Sequence, residues 1–199
     1  MQNRIRKPII AAVAVAGIAG LASAACSSST STTSGTETLH GLASGAAAAA
    51  NFNNPNSNAP LTFPAFTYSG PVNLTVKPFT LPSSSGPSAT NTLPGGLRVH
   101  HVSSQPSSNS SGPPPAKWTL TGGKCYFTTT FDKGKYTVVS GSTGKFAGAT
   151  GHGTYLITAA GWAPLSTGKT TCSFSNIGPV SSQGASIVFA ASGPLSVTG

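Results

Sequence analysis

The chain has 199 residues, 11 Lys+Arg against 2 Asp+Glu, and a formal charge of +9. Only 7 % of its residues are charged, against about 25 % in an ordinary soluble domain, while a hydrophobic share of 38 % is enough to build a core. With Glu37 and Asp132 as its only carboxylate side chains, a paired-carboxylate glycosidase is excluded unless a second chain contributes, and so is a carboxylate cage for a hard cation.

Residues 1–25 carry the three parts of a secretory signal: Arg4, Arg6 and Lys7, the uncharged apolar run Ile9–Leu21, and the small residues Ala22-Ser23-Ala24-Ala25. The apolar run is shorter than the roughly 20 residues of a spanning helix, so a removable signal is expected rather than a permanent membrane segment. Cys26 follows at once and precedes the polar run Ser27–Gly35. This arrangement resembles a bacterial lipoprotein, in which the Cys becomes the lipidated first residue of the mature chain and ties it to the membrane. Ser23 stands where the usual lipobox has Leu, and Leu21 lies two residues further back, which leaves plain secretion as the alternative. Residues 26–35 then read as a lipidated Cys with a flexible Ser/Thr tether, and residues 36–199 as a single domain. Cysteine parity agrees with this reading. Of the three cysteines, lipidation removes Cys26 and leaves Cys125 and Cys172, which an oxidising compartment joins as a disulfide.

Beyond the signal no stretch keeps a helical period. The alanines Ala46–Ala50 lie between Gly45 and the Asn/Pro-rich Asn51–Pro60 and read as a loop or a single helical turn. Strands are expected at Thr36–Ala43, Leu61–Tyr68, Val72–Phe79 and Leu97–Ser103, with Ser/Pro/Gly-rich loops near 44–60, 82–96 and 104–116. From Lys124 the period of two is clear: Cys125, Phe127, Thr129 and Phe131 share one face, Lys124, Tyr126, Thr128 and Thr130 the other. Asp132-Lys133-Gly134 supplies turn residues and Lys135–Ser140 a return strand, so a β-hairpin is predicted. Further strands are expected at Gly153–Ala160, Thr170–Phe174 and Ala185–Val197. Thr170, Cys172 and Phe174 share a face, which turns both cysteines inward beside Phe side chains. This pattern predicts an all-β fold, an antiparallel β-barrel or alternatively a β-sandwich. Closing a barrel removes unpaired edges, which favours it.

The most distinctive stretch is Ser140-Gly141-Ser142-Thr143-Gly144-Lys145-Phe146-Ala147-Gly148-Ala149-Thr150-Gly151-His152-Gly153-Thr154-Tyr155. Gly144 suits a positive φ in a turn, Phe146 is a large core anchor, and Gly148, Gly151 and Gly153 permit bulges and close strand approach. The stretch resembles the GTGxFxxAxG signature of the allene oxide cyclase/dirigent-like barrels. That resemblance implies an eight-stranded antiparallel barrel whose interior can hold a hydrophobic small molecule. The acidic and arginine residues on which the plant activities rely have no counterparts here, so it implies the fold and not the activity.

Other motifs carry little chemistry. Gly168-Lys169-Thr170 looks like the end of a phosphate-binding loop, but Ala163 stands where that motif needs Gly. Ser142-Thr143-Gly144-Lys145 matches an SxxK pattern without its partner motifs. His100 and His101 are adjacent, and on a strand they point to opposite faces. No catalytic residue, metal or cofactor is assigned. The ligand-binding candidates are His152, Tyr155, Trp118 and Trp162, which a barrel mouth or cavity would gather; core packing or surface exposure is the alternative for each.

Loss of Arg4, Arg6 and Lys7 with the signal takes the formal charge from +9 to +6. The remaining cations are scattered, with Lys133, Lys135 and Lys145 expected at one end of the sheet, and they favour an anionic envelope polymer or lipid headgroups as partner. Nucleic acid is not expected, since no recognised module is present and the compartment is wrong. The expected function is that of an extracytoplasmic, membrane-anchored, non-enzymatic protein that binds a small apolar ligand or an envelope component. The alternatives are an isomerase or cyclase acting on a hydrophobic substrate through His152, Tyr155 or Asp132, and a structural cell-surface protein.

Overall fold

The computed structural model describes residues 31–53, 61–81, 88–104 and 115–199. The expected signal and Cys26 lie outside the described residues. The elements, in chain order, are β1 (Thr32–Ser44), α1 (Gly45–Phe52), β2 (Leu61–Phe63), β3 (Ala65–Ser69), β4 (Leu74–Val76), β5 (Phe79–Leu81), β6 (Ser88–Thr92), β7 (Arg98–Ser103), β8 (Ala116–Thr121), β9 (Lys124–Val138), β10 (Thr150–Pro164) and β11 (Ser186–Thr198). The fold is all-β, and its large antiparallel sheet curls into a half-barrel. The strand order is β4-β3-β1-β11-β10-β9-β7-β6, with β8 also paired to β9 and with β2 and β5 forming a separate ribbon.

Alternation along the long strands decides which side chains enter the core. On β1, Glu37, Leu39, Gly41 and Ala43 are buried while their neighbours face out. On β11 the same period buries Ile187, Phe189 and Ala191. Phe66 on β3 is surrounded by Tyr68, Phe79 and Phe189, with ring centroids 5.5, 5.5 and 5.2 Å away. Phe146 is fully buried and packs on Tyr68 at 4.8 Å, as expected of the anchor in the glycine-rich stretch. The turn before it uses Gly144 at φ 59°, a conformation that costs a side-chain-bearing residue energy. At Gly153 a Cβ would stand 2.3 Å from the Ser192 carbonyl and 2.6 Å from the Tyr136 ring. Absence of a side chain there is a packing requirement.

Several elements depart from the sequence expectation. Thr32–Gly35, expected to be tether, are part of β1 and pair with Leu195–Thr198 of β11; β-branched threonines satisfy a ladder as readily as a solvated linker. Ala46–Ala50 belong to the eight-residue helix α1, whose Ala48 and Ala49 are buried, because an alanine run carries little entropic cost in a helix. Phe52 at its end packs on Phe127 and Phe131, and Asn53 ties the helix end to the connection between β10 and β11 by bonding both the N–H and the carbonyl of Val180. The expected loop at 82–96 contains β6 and a 3-10 turn at Pro94–Gly96. Leu61–Tyr68 divides into β2 and β3, and Val72–Phe79 into β4 and the first residue of β5.

The largest correction concerns Lys124–Ser140. No hairpin forms: Asp132, Lys133 and Gly134 lie within β9, which runs unbroken from Lys124 to Val138 beside an equally long β10. Turn chemistry at those residues is overridden by tertiary pairing. Thr170–Phe174 is the second correction, because it forms turns and not a strand. Asn176 there bonds the Thr171 carbonyl from its side chain and the Ser173 carbonyl from its N–H, so local side chain–backbone bonds replace a ladder.

Cys125 and Cys172 are nevertheless joined, with Cα atoms 5.6 Å apart and 47 residues of sequence separation. The bond fastens the connection between β10 and β11 to the start of β9. Phe174 from that connection packs on Trp118 and Phe127, at 4.9 and 5.4 Å. Replacing both cysteines by Ala is expected to lower the unfolding free energy by about 4 kcal/mol in the chain-entropy account, read as a lower urea midpoint with the strand signal retained in circular dichroism.

Candidate functional site

Polar chemistry concentrates in two places, one on each side of the sheet. On the inner side, β9 and β10 change register between Ile157 and Thr158, which turns Asp132 toward the core. Its Oδ1 accepts from the Ser103 hydroxyl at 2.5 Å and from the Lys133 N–H at 2.8 Å, and its Oδ2 accepts from the Tyr155 hydroxyl at 2.9 Å. Gly134 makes room for the Tyr155 ring, since a Cβ there would lie 2.9 Å from it. Burial, and then donation to Asp132, pushes the Tyr155 phenol well above its ordinary value. His101 is buried edge-to-face against the same ring, with centroids 5.7 Å apart. Burial drives its pKa down, against the raising pull of Asp132. His100 faces the other way and bonds Ser88 and Thr90, as adjacent strand residues must.

Glu37, further round the inner side, is wholly buried. Its Oε2 accepts the Val72 N–H at 2.9 Å, while Oε1 has no hydrogen-bond partner among the described residues. Burial raises its pKa, because a desolvated carboxylate is costly unless fully bonded. The same burial, with the Glu37 charge nearby, pushes Tyr136 up to about 12. Sequence reading placed no role on Glu37, although its alternation with Leu39 and Ala43 was a usable signal of an inward position.

The outer side holds a groove of about 600 Å³, within the size range of small-ligand sites. Thr128 and Thr130 of β9, Thr158 and Ala160 of β10, and Ser186 and Val188 of β11 form its floor. Pro115, Ala116 and Lys117 stand along one side, and Lys133 also reaches it. Lys117 and Lys133 are both exposed. Glu37 is buried and Asp132 is bonded inward, so among the described residues no lysine or arginine side chain forms an ion pair with a carboxylate side chain. The groove therefore combines two uncompensated ammonium groups with hydroxyl-bearing threonines. That is chemistry for an anion, with apolar contact from Ala160 and Val188.

The four residues expected to bind ligand do not converge. Tyr155 is inside, bonded to Asp132. Trp118 lies between Phe127 and Phe174 at the β8 end of the core. Trp162 is on the outer side under the Lys124 ammonium, 4.4 Å from its ring centre, with Tyr126 at 6.3 Å. His152 is exposed on the outer side of β10 opposite Thr137. Lys133 and Lys135 do share the outer face of β9, but Lys145 is elsewhere, bonded to the Asn73 carbonyl. The groove itself was missed. It depends on which strands lie side by side, and no local motif announces that.

Two measurements check the inner network. Tyr155→Phe is expected to cost about 2 kcal/mol, the loss of one donor to a partly buried carboxyl acceptor, read by urea unfolding at neutral pH. Glu37 is protonated more easily in the fold than in the unfolded chain, so its contribution is full below the ordinary carboxyl value of 4.5 and is lost as pH rises through the raised value. His101 acts in the opposite sense and loses stability as pH falls through its ordinary value of 6.5. Comparison with Glu37→Gln cancels the histidine: the variant is expected to gain on the native protein as pH rises from 4.5, and a constant difference would remove the assignment.

Comparison with known protein families, curated proteins and solved structures finds no match to this chain.

Proposed function

We propose that this protein is an exported, non-enzymatic envelope protein, held to the membrane through an acyl group on Cys26, that binds an anionic envelope component in the outer groove. The observation that carries the reading is the segregation of charge. Both carboxylate side chains of the chain are engaged inside the fold, and Lys117 and Lys133 face an open, threonine-lined groove with no carboxylate side chain ion-paired to either among the described residues. Phosphate or carboxylate groups on a ligand meet no acidic side chain that would repel them.

A small apolar ligand held inside the half-barrel has less support. Phe63, Phe66 and Phe146 fill the interior and are fully buried. A catalytic role has less support as well: the Ser103 and Tyr155 hydroxyls both donate hydrogen bonds to Asp132, and His152 is outside. The disulfide accords with an oxidising compartment.

Titration of the exported chain with a soluble glycerol-phosphate polymer tests the ligand class. Binding is expected to fall about tenfold when Lys117 and Lys133 are both replaced by Ala, as two exposed charge contacts are lost, and to weaken with added salt. Equal binding of a neutral glucan would overturn the assignment. Mass spectrometry of the native protein should find an acyl adduct on Cys26 as the first residue; an unmodified, uncleaved chain would remove the anchor.

A further inference from the structure

We infer that the outer face of β1, β11, β10 and β9 is a docking surface for an anionic phospholipid bilayer, with lipid phosphates entering the groove between Lys117 and Lys133. This rests on the reading of the groove as an anion site and narrows its ligand from any anionic envelope component to the membrane surface itself.

The sheet register supplies the first support. One row across the outer face runs Leu42, Val188, Thr158, Thr130; the next runs His40, Ala190, Leu156, Lys133. In a third row Lys135 stands beside Val102 of β7. Leu42, Leu156 and Val102 are 43, 40 and 49 % exposed. An outward sheet face in water is normally polar, whereas here exposed aliphatic side chains stand in register with lysines, Leu156 beside Lys133 and Val102 beside Lys135, and neither ammonium group is ion-paired to a carboxylate side chain among the described residues. A soluble anionic polymer complements the lysines and leaves the aliphatic groups in water. A bilayer interface complements both, since ammonium groups reach the phosphates while their methylene stems and the neighbouring Leu and Val sit among the upper acyl carbons.

Chain length supplies the second support. Because β1 begins at Thr32, Cys26 precedes the sheet by only six positions, a span of at most about 20 Å. An acylated Cys26 therefore keeps the half-barrel within contact distance of headgroups. An acyl chain joined to a basic patch is a two-signal anchor, in which each part makes the other effective.

The test uses the mature chain from residue 26 with Cys26→Ser, so that no acyl group contributes; all the described contacts lie within 31–199. Sedimentation with vesicles of phosphatidylglycerol and phosphatidylcholine in equal parts is compared with phosphatidylcholine alone. Binding is expected only to the anionic vesicles. Lys117→Ala and Lys133→Ala should each weaken it about fivefold, and Lys77→Ala, on the far edge of the sheet, should leave it unchanged. Leu156→Asn should weaken vesicle binding and leave binding of the glycerol-phosphate polymer intact, which a purely electrostatic site would not show. If Lys117→Ala and Lys133→Ala weaken binding of the polymer while the vesicles are ignored, the bilayer assignment fails and the groove stands as a polymer site. If neither ligand binds, both assignments fail. Equal binding to neutral vesicles also overturns the inference.

Discussion

β9 carries one residue more than β10 within their shared ladder, between the pairs Thr130–Thr158 and Asp132–Ile157. Side chains alternate along a strand, so the extra residue inverts the parity of everything after it. Before the irregularity the inner positions are Cys125, Phe127 and Thr129; after it they are Asp132, Gly134, Tyr136 and Val138. A regular strand would turn Lys133 and Lys135 into the core and expose Asp132. With the bulge, Phe131 still reaches the Phe52 ring, Asp132 collects three donors, and both lysines enter solvent. The inner hydrogen-bond network and the outer cationic face are thus two results of one displaced residue.

The same constraint separates the charges by side. Asp132 is held on the inner side, where its two oxygens accept from Ser103, Tyr155 and the Lys133 backbone. Glu37 has one oxygen bonded and one without a partner among the described residues, and burial drives it toward the neutral acid. Neither carboxylate balances the lysines outside. A surface with cations and no side-chain anions is poorly matched to other cationic surfaces and well matched to phosphate-bearing ones. Aliphatic residues stand in register with two of those lysines, Leu156 with Lys133 and Val102 with Lys135, and that combination is the basis of the proposed bilayer contact.

The strand pattern was legible in part: alternation gives β9 before the bulge, and the strands expected at Thr36–Ala43, Gly153–Ala160 and Ala185–Val197 lie within or overlap β1, β10 and β11, whereas β8 was not expected. Phe146 as a core anchor and Gly144 as a turn residue were legible too, since size and backbone freedom are local properties. Errors fell where two local signals compete. Asp132-Lys133-Gly134 has the composition of a turn, and only the length of β10 opposite shows that the chain continues straight. Thr32–Gly35 has the composition of a linker, and only β11 shows that it is a strand. Ala46–Ala50 is short for an independent helix, and it is stabilised by burial of Ala48 and Ala49 in the core. Trp118 and Trp162 are both aromatic residues near a strand end, yet they lie on opposite sides of the sheet.

Composition and spacing alone determined the all-β class and a net positive charge with two carboxylate side chains in all; the pairing of Cys125 with Cys172 was expected once Cys26 was set aside as the residue of the lipoprotein-like signal. The class and the charge depend on counts and on the period-two pattern, which survive any arrangement of the strands. Which face each charge occupies, the burial of Glu37, and the groove between Lys117 and Lys133 were decided by tertiary structure. Each depends on register between strands distant in sequence, and a shift of one residue would send every one of those side chains to the other side of the sheet.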